Sequence, residues 1–251
     1  MYAEQNFRQH RPETFHPGLV PASEYSPAVM ESISPGCNLA RLLGSDFPIV
    51  HRCLKQGDLL FRAGGDFHSL HVLNAGFAKT CYVSEDGRER TTGFHLRGDL
   101  LGLDAVATGT YECDAIALDI SDVLSIPYEA LIARGQRDPE VARELHRAFG
   151  SEIRSDREQM LSMGSLHAEG RVAAFLLEMS RRFGSRGFSA TKLQLRLTRN
   201  EIGSLIGLKL ETVSRALSRF ARLGIINVRL REIELVDRDA LRDVVAISQS
   251  H

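Results

Sequence analysis

The chain has 251 residues, 43% of them hydrophobic and 25% charged, with no Trp and a formal net charge of −1. That length allows one large domain or two ordinary ones, and the composition is globular rather than disordered or fibrous. No apolar run reaches the roughly 20 residues needed to span a bilayer, and the opening MYAEQNFRQHRPETFHPG lacks the apolar centre of a secretory signal, so a cytoplasmic location and free thiols are expected.

Residues 1–36 hold Pro12, Pro17, Pro21, Pro27 and Pro35 among few apolar residues, which predicts a flexible N-terminal arm. Across 37–137 the texture changes to short apolar runs, SLHVLNA, AKTCYVS, RTTGFHL and AIALDISDVLSIP, cut by turn signals. Gly65, Gly76, Gly87, Gly98 and Gly109 recur at equal intervals between them. Regular turns between short strands indicate an antiparallel sandwich, barrel or roll.

The period then switches. Residues 138–166 hold only one Pro, at the first turn, and Phe149, Ile153, Asp156, Met160 and Met163 follow a 4-3-4-3 spacing. That spacing is a heptad seam, and a long helix with so narrow a seam is expected to pair with a copy of itself. Asp156 stands in the seam where an apolar residue would be expected.

Over 167–251, Val172, Phe175, Leu176, Met179 and Phe183 mark an amphipathic helix that FGSRGFS ends. In LQLRLTRNEIGSLIGL, Thr198 and Glu201 have capping-box spacing, and Gly207 permits a sharp turn. GLKLETVSRALSRF then gives a helix with Val213, Leu217 and Phe220 on one stripe and Glu211, Thr212, Ser214, Arg215, Ser218 and Arg219 away from it. GIINVRL and EIELVD close the chain with a small hairpin. Helix, turn, helix, hairpin is the order of a winged helix-turn-helix. From Ser165 to Arg231 there are 13 Lys and Arg against 4 Asp and Glu, so this module carries the positive charge and the remainder the negative. A basic module joined to an acidic one points to a polyanion partner.

The run LTRNEIGSLIGLKLETVSRALSRFARLGII resembles the DNA-binding module of the CRP/FNR superfamily, the bacterial cyclic-AMP receptor and fumarate–nitrate regulator group. GDLLFRAGGDFHSLHVLNAGFAKT, GFHLRGDLLGLDAV, IPYEAL and AFLLEMSRRFGSRGFS extend the likeness over about 57–236, and the E-T-x-S-R core belongs to the FNR side. The resemblance implies an α+β fold: an antiparallel β-roll of cyclic-nucleotide-binding type over 37–137, a dimerisation helix over 138–166 and a winged helix-turn-helix over 167–251. It also implies a homodimeric transcription regulator that reads a TTGAT-like palindrome on double-stranded DNA.

The chemistry agrees. Arg215 can bind guanine O6 and N7 bidentately, Glu211 one turn away can accept from cytosine N4, and Ser214 can offer a hydroxyl to a base edge. Thr198, Arg199, Lys209, Thr212 and Arg219 are candidates for phosphate contacts, which position without specifying. In activators of the family, roll turns and a loop of the DNA-binding domain contact RNA polymerase. The corresponding surfaces are Glu85, Asp86, Gly87 and Arg88, and the Gly184–Phe188 loop with Arg186.

The trigger is argued from residues. Oxygen-sensing relatives hold an iron–sulfur cluster on three closely spaced N-terminal cysteines and a fourth in the roll; here Cys37, Cys53, Cys81 and Cys113 are far apart, and Leu124 stands at the matching fourth place. The Arg-Ser/Thr step of the family's cyclic-nucleotide pocket is missing, and Tyr111-Glu112-Cys113-Asp114 occupies the region, with acids that would repel a phosphate. No cofactor or metal is therefore expected, although the sequence leaves open a cluster of another geometry or a haem on His51, His68, His71 or His95. A regulator that is constitutively competent, controlled by abundance, or modulated by a thiol remains, with Cys37 the candidate thiol and Cys81 and Cys113 read as core residues. In cluster-bearing relatives an Asp matching Asp156 keeps the cluster-free form monomeric.

A cupin-like ligand- or metal-binding roll with an accessory DNA-binding module is the competing class. It needs two histidines and a carboxylate on neighbouring strands, whereas His68 and His71, three apart, point to opposite faces of a strand. No catalytic residues are expected.

Overall fold

The computed structural model describes residues 38–84 and 87–249. The expected arm over 1–36, Cys37, and Glu85 and Asp86 lie outside the described residues.

Helix α1 (Leu39–Leu43) leads into β1 (Val50–Leu54), β2 (Leu59–Phe61), β3 (Ser69–Ala75), β4 (Phe77–Val83), β5 (Glu89–Leu96), β6 (Leu100–Leu101), β7 (Asp114–Ala117) and β8 (Ser121–Pro127). They pair antiparallel into two four-stranded sheets ordered β1-β8-β3-β6 and β2-β7-β4-β5, which is the expected roll. The glycine repeat is largely a turn repeat: Gly76, Gly87, Gly98 and Gly109 all have positive φ, but at the first turn the left-handed residue is Gly64, not Gly65. Gly76 is fixed twice over. Its φ is 89°, and a Cβ there would lie 2.5 Å from the Ile120 carbonyl oxygen. The run AIALDISDVLSIP is not one strand; it breaks at Leu118–Ile120 into β7 and β8, where the Asp119 carboxylate accepts the Ile120 N–H at 2.8 Å.

Two helices follow: α2 (Tyr128–Arg137) and the long α3 (Pro139–Ser165). Pro139 sits at the first helical position of α3, where its missing N–H is harmless, and the Asp138 carboxylate accepts the Glu140 N–H at 3.0 Å. Leu39, Leu43, Leu131, Val141 and Leu145 close over Leu70, Val72, Leu124 and Ile126 as one core. Each fully buried Leu there contributes roughly 1.5–3 kcal/mol relative to exposure.

The C-terminal unit comprises α4 (Ala168–Ser185), β9 (Lys192–Gln194), α5 (Arg199–Ile206), α6 (Leu210–Arg222), β10 (Ile226–Arg229), β11 (Glu232–Leu235) and α7 (Arg238–Gln249). The wing is a three-stranded sheet, β10-β11-β9, rather than a lone hairpin. A third strand covers one edge of β11, which a two-stranded ribbon would leave open.

The two units share a core. Phe94, Leu96 and Leu118 of the roll pack with Val172, Leu176, Phe183, Val213 and Phe220. Polar ties surround this contact. Lys79 Nζ donates to Glu201 at 2.8 Å and also to Glu89, Arg182 and Arg186 clasp Asp99, and Arg196 pairs with Asp119 at 2.8 Å. The helix-turn-helix is thus docked against the β4–β5 hairpin.

The seam needs correction. Phe149 is half-buried and packs on the roll core, and the Met163 sulfur lies against Gly207 of the C-terminal unit, so both ends of the seam are used within the chain. What α3 leaves uncovered is Ile153 (51% exposed), Met160 (70%) and Leu161 (68%), the last absent from the heptad reading although it follows Ile153 by eight residues. Asp156 is exposed beside them.

Candidate nucleic-acid interface

The expected capping box forms at the start of α5. Thr198 Oγ1 accepts the Glu201 N–H at 3.2 Å, and Glu201 Oε2 accepts the Thr198 N–H at 2.6 Å. Gly207 ends the helix in the left-handed region, with φ 67° and ψ 38°, and the Leu208 N–H returns to the Gly203 carbonyl at 2.8 Å. A Cβ on Gly203 would lie 2.5 Å from the Leu208 carbonyl oxygen, so the tight turn between α5 and α6 needs glycine there as well.

Val213, Leu217 and Phe220 are buried as their spacing predicts, and Ala216 joins them. This anchors α6 and turns its other face outward. Glu211 and Arg215 are exposed, and Ser214 is half-buried between them. Although four residues apart, Glu211 and Arg215 form no ion pair, and neither they nor Ser214 has a side-chain hydrogen-bond partner among the described residues. A surface pair would be worth only ~0.3–0.5 kcal/mol in any case.

The phosphate candidates divide. Lys209 is the N-cap residue of α6 without a side-chain cap, exposed, next to half-buried Thr212. Arg219 is exposed but tied to Glu169 at 2.9 Å, a pair that an anion could displace at a cost of about 0–1 kcal/mol. Arg199 lies half-buried with Nη1 lacking a hydrogen-bond partner, and desolvation lowers its pKa.

Glu201 does more than cap. Burial alone would raise its carboxyl, but the hydrogen bonds from Lys79 and Thr198 and the Lys79 charge hold it below the usual range. This link between the roll and the helix-turn-helix had no local signal in the sequence. Arg186 departs from its expected role: its guanidinium donates to Asp99 and to the Arg97 carbonyl at 2.9 Å, with the side chain 14% exposed, so it fastens the two units instead of standing on a loop surface. Gly87, Arg88 and Phe188 are exposed.

Residues 170–244 match the Crp-like helix-turn-helix domain, and residues 51–138 match the cyclic nucleotide-binding domain. The chain is 41% identical over 186 residues to the transcriptional activator protein anr of Pseudomonas aeruginosa, spanning 74% of this chain and 76% of that one. It belongs to the CRP/FNR family of transcription regulators. The fumarate and nitrate reduction regulatory protein of Escherichia coli K12 is 39% identical over 188 residues, 75% of each chain. Among solved structures, FixK2 from Bradyrhizobium japonicum superposes with a TM-score of 0.71 at 30% identity, covering 78% of this chain and 96% of that one. These regulators are not enzymes, and no described helix is long and apolar enough to cross a membrane.

Family membership invites a test of the roll as a ligand pocket. Its interior is filled by its own aromatic side chains: Phe61 and Tyr111 stack at 4.0 Å with an interplanar angle of 10°, and His71 packs beside them. Tyr111 donates its hydroxyl to the Ser69 carbonyl at 2.8 Å, so it accepts from His71 Nε2 at 2.9 Å, and Ser125 donates to Nδ1 at 2.9 Å. Burial pushes His71 down to about 3, keeping it neutral in this chain. Asp114 is not a free acid but accepts the Ala63 N–H at 2.8 Å. This interior does not fit a cyclic nucleotide.

The described thiols do not fit a cluster either. Cys53 is exposed on β1 in one sheet, while Cys81 is buried on β4 in the other. Cys113 is only half-buried rather than a core residue; it precedes β7 and donates to Asp104 at 3.6 Å. Burial raises Cys81 to about 11, and burial with the Asp104 charge raises Cys113 further, so both stay protonated. Burial likewise lowers His95 to about 4, and its Nε2 lies 3.2 Å from the Thr80 hydroxyl.

Proposed function

We propose that this chain is a homodimeric transcription activator that reads a TTGAT-like palindrome with Glu211, Ser214 and Arg215 on base edges. Glu211, Ser214 and Arg215, without side-chain partners among the described residues and held outward on α6 by a buried stripe inside the basic segment, carry this reading. Thr198, Lys209 and Thr212 contact phosphates directly, and Arg219 does so by giving up Glu169. Titrating the full chain against a duplex with the palindrome and one with both half-sites scrambled tests it. Tight binding to the first and weak, steeply salt-dependent binding to the second is expected; equal affinities would overturn sequence reading.

Dimerisation uses Ile153, Met160 and Leu161, exposed apolar residues on one side of α3, with Asp156 beside them. In a two-fold dimer each residue near the axis meets its own copy, so paired Asp156 carboxylates oppose association. Asp156→Ala should tighten the dimer roughly tenfold, equivalent to about 1.4 kcal/mol, and raise DNA affinity with it. Sedimentation over a range of concentrations reads the effect, and an unchanged dimer constant would place Asp156 outside the interface.

The polymerase surfaces are Gly87 and Arg88, with Glu85 and Asp86 that lie outside the described residues, and the Gly184–Phe188 loop without Arg186. Substituting Arg88 or Phe188 should leave DNA affinity intact and reduce transcription in a reconstituted assay. Parallel loss of both would mean that these residues hold the fold.

A further inference from the structure

The wing ends in a turn that the fold by itself does not favour. β10 and β11 pair Arg229 with Glu232, leaving Leu230 and Arg231 as a two-residue connection. Such connections need positive φ at the first central residue, a place normally taken by Gly, Asn or Asp. Here it is leucine, at φ 55°, the one non-glycine residue with positive φ among those described. A branched side chain in the left-handed region is strained. The side chain is also 95% exposed, the highest value among the large hydrophobic residues of the described chain. Leu230 thus contributes neither backbone ease nor buried area to the free protein.

Its surroundings say what it suits. Arg229 and Arg231 flank it, both exposed. The tip is also held close to α5: the Leu195 N–H donates to the Arg231 carbonyl at 3.0 Å, and Arg231 Nη1 approaches the Arg196 carbonyl at 3.4 Å. Leu195 and Arg196 run directly into Thr198, the N-cap of α5. The tip therefore lies beside the end of the helix-turn-helix that carries phosphate candidates, on a short ribbon continuous with the C-terminal end of α6.

We propose that the wing tip is a second DNA-reading element, with Leu230 inserted in the minor groove next to the major-groove site and Arg229 and Arg231 on the phosphates at either side. This rests on the DNA-binding function proposed above. An apolar side chain between two guanidiniums matches that groove, where apolar wedges meet sugars and base steps and the negative potential draws arginine. The strained backbone then holds the side chain away from the wing, preformed for contact. The minor groove distinguishes mainly A·T from G·C pairs, so the element adds preference for the width and deformability of the flanking step, not a further base letter.

Leu230→Gly separates fold from binding. Glycine relieves the positive φ, so the thermal midpoint should stay or rise, while affinity for the palindrome falls three- to tenfold and the preference between A/T and G/C flanks disappears. Arg229→Ala should reduce the salt dependence by about one phosphate contact per half-site without changing flank preference. Arg215→Ala on the same duplexes is the control. If wild type fails to prefer the palindrome, the DNA-reading function itself falls; if it prefers the palindrome and Leu230→Gly matches it in affinity and flank preference, only the wing falls. Full DNA affinity with reduced transcription in Leu230→Gly would overturn the minor-groove assignment in favour of a protein contact.

Discussion

Arg215→Ala lowers affinity for the best palindrome by about 1–3 kcal/mol per half-site, roughly five- to 150-fold each, and relaxes preference at one guanine per half-site. The size follows from removing a bidentate guanine hydrogen-bond pair at two symmetric places, and the selectivity from the position of Arg215 on the exposed side of α6. Because Arg215 has no ion-pair partner among the described residues, its removal disrupts no internal bridge, and thermal stability should stay within about ±0.5 kcal/mol. Lys209→Ala is the comparison: without its phosphate contact, binding weakens on all sequences alike and the salt dependence flattens. Gel shifts at two salt concentrations on cognate and guanine-substituted duplexes measure both. An Arg215→Ala protein with wild-type affinity and selectivity would remove α6 from the major groove.

Glu201→Ala acts on the fold and on the link between the two units. Glu201 closes the capping box of α5 and accepts from Lys79, whose side chain is 11% exposed. Its loss leaves the Thr198 N–H without its acceptor and Lys79 with Glu89 alone. Breaking a wholly buried pair costs about 3–5 kcal/mol, and Glu89 still serves Lys79, so a loss of roughly 2–3 kcal/mol is expected. The folded-state pKa of Glu201 is depressed, so its contribution is present above the ordinary glutamate value and is lost as pH falls through the folded one. The gap between wild type and variant should be widest near neutrality and shrink below about pH 4. Glu201→Gln, which keeps an acceptor but no charge, should fall between them. Thermal melts at several pH values decide it; coincident melting at neutral pH would show that the Lys79 contact contributes nothing.

Helix α6 was legible almost residue by residue, because its signals are local. The spacing of Val213, Leu217 and Phe220 fixes its buried stripe, Thr198 and Glu201 fix the preceding helix start, and Gly207 fixes the turn. Each depends on residues within one or two helical turns. The roll was legible as a class for a related reason: turn glycines between short apolar runs mark where strands begin and end. Pairing did not follow, and the break at Leu118–Ile120 was hidden inside an unbroken apolar run.

What only the tertiary structure decided is what each face packs against. Lys79 and Glu201 are 122 positions apart, and Arg186 and Asp99 are 87, so no periodicity joins them. Arg186 reads as a loop cation until Asp99 is seen to hold it, and Phe149 and Met163 read as an interface until the roll and Gly207 are seen to cover them. By itself the sequence determined which side of each helix is apolar. The docking of the two units determined that the apolar side of α6 is satisfied within the chain, whereas Ile153, Met160 and Leu161 of α3 stay uncovered among the described residues. Periodicity records that a face must be buried, whereas the identity of the covering surface depends on contacts made across the whole fold.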